Sequence, residues 1–323
     1  MSDQDVATRA PENDAAEAPA EVTGASNEPS ATDHCVTDRP TPAGQAPTGE
    51  ISKLGDVDVY ITKPSDYPHS PSKLLVLLSS GTGIHSTNNQ IQADRYAAEG
   101  FLVVMPDMFE GDPAPNSHDN ETQIPQGASQ TLIEQFKLRA AETAKSFVID
   151  MWLARHTSAK VLPILHKVIE ATKEEFADAV ANGGGVYAAG YCFGGKYVLI
   201  LAGNHPDSVM WGQAPKDEEE GMVENGPLLK AGAIAHGTLV TIEDLTSLKA
   251  PVTMACVEND QVFPDDIREE GRKHLETNNI EHEIKVYSDV PHGFAVVGDY
   301  KESSIQEAQK QAFDQMLAWL QSH

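Results

Sequence analysis

The sequence predicts an α/β protein: a doubly wound, mostly parallel sheet with helices on both faces. Three observations carry this. Continuous apolar runs such as Leu74–Leu78 and Phe101–Met105 read as strands buried on both faces. They alternate with longer stretches of helical composition, the pattern of parallel β-α-β units. Between the apolar runs Val186–Ala189 and Tyr197–Ala202 stands Gly190-Tyr191-Cys192-Phe193-Gly194-Gly195-Lys196, which reads as strand, sharp turn, helix.

Taken in order, residues 1–48 are built from Ala, Pro, Glu, Asp, Thr, Ser and Gly, with Val6, Val22 and Val36 as the larger aliphatic residues. Such a stretch buries too little apolar surface to offset its ordering entropy and is expected to be a disordered acidic tail. A docking arm or a regulatory phosphosite region is the functional alternative. The folded domain, 49–323, is expected to open at Gly49-Glu50-Ile51. Val57–Ile61 alternates like an edge strand and Lys63-Pro64 ends it. Leu74–Leu78 leads into the loop Ser79-Ser80-Gly81-Thr82-Gly83. Gln92–Glu99 is a helix capped by Gly100, and Phe101–Met105 is the next strand, stopped by Pro106-Asp107. Asp112–Gln130 reads as a long loop, either a lid or a plain insertion. Helices follow over Thr131–Ala154 and Val161–Ala181, and Asn182-Gly183-Gly184-Gly185 breaks the chain. Beyond the elbow helix, Asn204–Lys230 is acidic and irregular. Strands are expected at Ala231–His236, Val252–Val257 and His282–Tyr287, with helices over Pro264–Asn278 and Ser303–Gln321.

The chain has 323 residues, 40% hydrophobic and 22% charged, which suits a globular enzyme with some additional polar sequence. Its formal net charge of −26 argues against nucleic acid and anionic membranes as partners, because phosphate neutralisation needs clustered Lys and Arg. No apolar run approaches the ~18 residues of a membrane span, and Met1–Asp5 lacks the basic and apolar regions of a signal peptide. The three cysteines, Cys35, Cys192 and Cys256, form no C-x-x-C pair. No His-Glu-x-x-His or comparable spacing suggests a metal site. A cytoplasmic location is expected, and nothing in the sequence sets an oligomeric state.

Gly190-x-Cys192-x-Gly194 is the thiol version of the Gly-x-Ser-x-Gly nucleophile elbow. Such a turn holds its nucleophile in a strained conformation, so the residues two before and two after must be small. The helix N-terminus that follows favours thiolate over thiol. The bland alternative is a glycine-rich turn around a buried cysteine. Order separates the two. In the hydrolases that use this elbow, nucleophile, acid and histidine follow successive strand ends; here Cys192, Asp260 and His292 do so. Glu258, Asp265 and Asp266 are alternative acids. His236 also follows a strand but precedes the acid, and is expected to be structural or pocket-lining. Cys256 reads as a small buried hydrophobe, and Cys35 has no apparent chemistry.

These segments resemble the dienelactone hydrolase family in its eukaryotic branch. The resemblance spans about Thr48 to His323 and rests on three motifs: Gly190–Gly195, Glu258-Asn259-Asp260-Gln261-Val262-Phe263-Pro264, and Pro291-His292-Gly293-Phe294. Pro106–Asp112 adds to it, as does Cys35 with Thr48-Gly49-Glu50 before the domain. It implies an α/β-hydrolase fold, a Cys-His-Asp triad, a small ester or lactone as substrate, a thioester acyl-enzyme and no cofactor. The oxyanion would be held by the amides of Phe193 and of one residue in the Ser80-Gly81-Thr82 loop, Gly81. Two departures stand out. Ser80 occupies a place where the family commonly has an acidic residue that helps activate the thiol. Ala295-Val296-Val297-Gly298 lacks the arginine often found a few residues after the histidine. Thiol activation then rests mainly on His292, and a carboxylate-bearing dienelactone is disfavoured. The rival readings are a binding protein on a hydrolase scaffold and a redox-sensing thiol.

Overall fold

A computed structural model describes residues 38–115, 147–207 and 227–323. Eight strands form one sheet: β1 (Glu50–Leu54), β2 (Val57–Thr62), β3 (Lys73–Leu78), β4 (Phe101–Pro106), β5 (Val186–Tyr191), β6 (Ala231–Ala235), β7 (Val252–Val257) and β8 (His282–Tyr287). Their spatial order is β1-β2-β4-β3-β5-β6-β7-β8. β1 with β2 and β2 with β4 are antiparallel; every pair from β4 to β8 is parallel. The chain moves outward from β3 to β4 and then returns to the other side of β3 with β5. That reversal opens a crevice at the carboxyl ends of β3 and β5, where sites in open α/β sheets form.

The helices whose full extent is described are α1 (Thr87–Ala98), α2 (Ser158–Glu175), α3 (Ala177–Gly183), α4 (Phe193–Leu201), α5 (Ile242–Thr246), α6 (Asp265–Thr277) and α7 (Ser303–Ser322). Strand alternation assigns them to faces. Leu74, Val76 and Leu78 point to one side, packing with Val161, Leu165 and Ile169 of α2 and with the elbow helix α4. Leu75 and Leu77 point to the other, with Ala93 and Tyr96 of α1 and Met316 and Leu320 of α7. α4 is buried along nearly its whole length, as its apolar sequence requires. The small residues of β6 make room for it: a Cβ at Gly232 would come within 2.8 Å of Val198.

Two expectations are corrected. Val57–Ile61 is not at the sheet edge: β2 lies between β1 and β4, and the mostly exposed Glu50–Leu54 is the edge. Period-two alternation reports that one face is wetter than the other, not that a strand lacks a lateral neighbour. The single helix expected over Val161–Ala181 is two, because Phe176 leaves helical backbone (φ −120, ψ 43) as its ring is buried. α3 then ends at Gly184 in the left-handed region (φ 68).

The segment just before the domain makes contacts of its own. Residues 38–48 lie against the domain: the Asn88 side-chain amide donates to the Arg39 carbonyl (2.6 Å), the Asp299 amide to the Pro40 carbonyl (2.8 Å), and the Thr48 amide to the Asp94 carboxylate (2.7 Å). Composition weighs apolar burial, whereas this segment is held by hydrogen bonds that composition does not count. Residues 1–37, with Cys35, lie outside the described residues, as do most of the loop expected at 112–130 and of the helix expected at 131–154. Of that helix, the stretch from 147 is helical. Most of the irregular stretch expected at 204–230 also lies outside them. Among the described residues no helix is long and apolar enough to cross a membrane.

Candidate active site

β5 delivers Cys192 at its carboxyl end, and α4 begins with the next residue. Cys192 sits at φ 52, ψ −116, a conformation that costs a non-glycine residue ~1–3 kcal/mol and persists only where its surroundings enforce it. Here four backbone hydrogen bonds do so. The Cys192 amide donates to the Ala235 carbonyl (3.1 Å), and the Cys192 carbonyl accepts from Gly195 and Thr238 (both 3.0 Å). The Gly194 amide donates to the Ser79 carbonyl (3.1 Å), tying the turn to the end of β3. Both elbow glycines are required by close approach: a Cβ at Gly190 would come within 2.7 Å of the Gly194 carbonyl oxygen, and one at Gly194 would overlap the Leu78 backbone.

Asp260 follows β7 and is nearly buried. Its Oδ1 accepts from the Val262 amide (3.0 Å), and its Oδ2 accepts from Nδ1 of His292 (2.7 Å). The alternative acids do otherwise. Asp265 pairs with Arg268 (2.7 Å), Asp266 accepts from the Ile267 amide (2.9 Å), and Glu258 is exposed. With Nδ1 committed to Asp260, Nε2 of His292 faces the thiol side. It lies 3.1 Å from Oγ1 of Thr238, which in turn lies 3.2 Å from Sγ of Cys192. Burial pulls the His292 imidazolium toward neutrality, but its hydrogen bonds to Asp260 and Cys192, with their charges, outweigh it and raise its pKa to about 9. A buried imidazolium beside a thiol is the arrangement that stabilises thiolate.

This assigns a direction to pH dependence. Because His292 is raised from 6.5 to about 9 on folding, its protonation stabilises the native state fully below pH 6.5, and that contribution is lost as pH rises through about 9. Urea midpoints of the wild type should therefore fall across that window. Asp260→Asn should lower the His292 midpoint seen by nitrogen NMR and shrink the loss. An unchanged midpoint in that variant would mean that Asp260 is not what holds the charge.

The other expected residues divide. Ser80 lines a cavity beside Cys192 and His292, and His236 does not. His236 is fully buried behind His292, ring edge to ring face at 5.0 Å, and packs on Tyr191 and Phe294. The Phe193 amide is the first of α4, while its ring packs among Phe109, Trp152 and Tyr197. Among the described residues neither it nor the Gly81 amide has a hydrogen-bond acceptor, and the Gly81 carbonyl is pinned by the Ala114 amide (2.8 Å). Cys256 is buried in β7, and burial pushes its thiol up to about 12, an unreactive state.

Three residues of the site escaped sequence reasoning. Asp38 and Arg39 line the cavity from a segment read as tail. Asp38 Oδ1 accepts from Thr82 (3.0 Å), whose hydroxyl lies 3.0 Å from that of Ser80, so a carboxylate reaches the Ser80 loop from before β1. The Arg39 guanidinium lies over the Tyr300 ring, 4.8 Å from its centroid. Nothing in their sequence context marks them. Thr238 had a weak signal: it lies just past the end of the strand beside β5. The cavity measures about 20 Å³, room for about one water.

A sequence profile described as the dienelactone hydrolase family matches residues 57–218 and 221–323. A protein from Aspergillus violaceofuscus named hydrolase pyvD is 30% identical over 275 residues, covering 85% of this chain and 90% of that one. Dienlactone hydrolase 1 of Gibberella moniliformis is 25% identical over 279 residues, 85% of this chain and 87% of the relative. Among solved structures, a Klebsiella pneumoniae protein described as a dienelactone hydrolase superposes with a TM-score of 0.59 at 21% identity, covering 86% of this chain and all of its own. At that identity the likeness concerns the fold.

Proposed function

The chain belongs to the dienelactone hydrolase family, and on that footing we propose that it hydrolyses small carboxylic esters or lactones through Cys192, His292 and Asp260 by way of a thioester. The observation that supports this most is the buried chain of hydrogen bonds from the Asp260 carboxylate through His292 and the Thr238 hydroxyl to the thiol. The thiolate of Cys192 attacks the carbonyl carbon; a carbon–sulfur bond forms and the carbonyl electrons move to oxygen. The Phe193 and Gly81 amides receive that oxyanion, each such donor being worth roughly 3 kcal/mol of transition-state stabilisation. Collapse expels the alkoxide, which takes the proton from Nε2 of His292 and leaves the acyl group on sulfur. Neutral His292 then draws a proton from water, the hydroxide attacks the thioester, and the carboxylic acid leaves as the thiolate and imidazolium are restored.

Asp260 keeps Nδ1 protonated throughout and stabilises the imidazolium. No step calls for a cofactor. A working thiol suits a reducing compartment, the cytoplasm.

Rapid acid quench of the enzyme during turnover of p-nitrophenyl acetate, followed by peptide mass spectrometry, tests the reading. The acetyl group should appear on the peptide carrying Cys192 and be released by hydroxylamine. Turnover with an acyl group on another residue would refute it.

A further inference from the structure

We infer that Thr238 is a further catalytic residue, whose hydroxyl bridges the nucleophile and the base and carries the proton by which the resting thiolate–imidazolium pair forms. This rests on the reading of Cys192 as nucleophile and His292 as base. Thr238 Oγ1 lies 3.2 Å from Cys192 Sγ and 3.1 Å from His292 Nε2, and the side chain is buried. A hydroxyl is both donor and acceptor, and its hydrogen rotates. With a neutral pair it accepts from S–H and donates to the Nε2 lone pair. With the ion pair it donates to the thiolate and accepts from Nε2–H. Passage between the two breaks S–H as one proton moves to Oγ1, and breaks Oγ1–H as the other moves to Nε2. Threonine ends as it began, and charge separates only between sulfur and imidazole.

The placement is built into the fold. β6 pairs with β5 so that Ala235 faces Tyr191, and the chain then turns through His236 (φ 39) and Leu239 (φ 55). That turn is held on every side. The Thr238 amide donates to the Cys192 carbonyl (3.0 Å), the His236 amide to the Ala255 carbonyl (2.8 Å), and the Leu239 amide to the Val262 carbonyl (2.9 Å). Lys196 Nζ donates to the Leu239 carbonyl (2.9 Å). Since Nδ1 of His292 is held by Asp260, Nε2 is the nitrogen that exchanges the proton, and Thr238 stands on it. The titratable groups around the bridge are Cys192, His292 with Asp260, His236 on the same turn, Asp38 and Arg39 lining the cavity, and Lys196, itself paired with Asp244.

Thr238→Val keeps the shape and removes the hydroxyl, while Thr238→Ser keeps the hydroxyl. Two readouts separate bridging from mere packing: the pH profile of kcat/KM on p-nitrophenyl acetate, and the pH profile of Cys192 alkylation by iodoacetamide. Valine should lower kcat/KM about 100-fold with little change in KM. It should move the midpoint of the alkylation profile up by about one unit, slowing alkylation about tenfold on the acid side of the wild-type midpoint. Serine should restore most of both. Should valine prevent folding, Thr238→Ala, which adds no bulk, replaces it with the same expectation. Wild-type profiles in the valine or alanine variant, or a serine variant as impaired as valine, would overturn the inference. Alkylation needs no substrate, so it separates the two readings. A wild type that turns over no ester yet shows the serine–valine contrast would refute the hydrolase and uphold the bridge. Cys192-dependent turnover untouched by valine would do the reverse.

Discussion

Replacing Cys192 by alanine is expected to cost roughly 10⁴-fold or more in ester turnover while leaving the fold in place. The substitution removes one heavy atom, Sγ, and with it the proposed nucleophile and the far end of the chain Cys192–Thr238–His292–Asp260. What enforces the elbow survives, because the four hydrogen bonds that hold it are all backbone to backbone. Alanine at φ 52 is strained to the same degree as cysteine, so the change is chemical and not conformational. Removing the sulfur also removes one of the influences that raise His292, so its midpoint should fall below the wild-type value of about 9. A chromogenic ester series run with both proteins side by side checks the first effect, and circular dichroism checks the fold. Equal turnover by both would place the nucleophile elsewhere.

Gly194→Ala is expected to destabilise the protein by about 3 kcal/mol or more, or to prevent folding. A Cβ there would overlap the carbonyl of Leu78 and come within 2.7 Å of its Cβ. Leu78 is the last residue of β3 and pairs with Gly190 of β5, so the obstructing atoms are backbone inside the sheet and cannot rotate away. α4 would have to withdraw, breaking the bond from Gly194 to Ser79 and moving Cys192 with it. Gly195→Ala is the contrast. Its nearest neighbour would be the Gly237 Cα at 3.1 Å, a contact that a small shift relieves, and the loss should be smaller. Urea denaturation of the two variants decides the matter: equal midpoints would show that the packing of α4 on β3 is looser than the structure has it.

Much of this was legible in local pattern. β7 and β8 run Val252–Val257 and His282–Tyr287, the bounds that their apolar runs and alternation suggest. The elbow announced itself through two glycines, because a helix that must begin in contact with its neighbouring strand excludes a Cβ at defined positions. The place of β2 was misjudged because alternation describes faces and is silent about neighbours. The split at Phe176 was missed because the helical period continues across it, and only burial of the ring shows where the backbone turns.

Short-range signals alone thus specify most of the strands, the strained turn, and that carboxylates and a histidine follow later strand ends, since each depends on residues a few places apart. Three matters lay beyond them. One is which of four neighbouring carboxylates meets the histidine. Another is that Asp38 and Arg39 wall the cavity. The last is that Thr238 stands between residues 46 and 54 positions away from it. Each is a contact between strand ends or between a strand end and a distant segment. Sheet order and register bring such groups together, and no local periodicity encodes them.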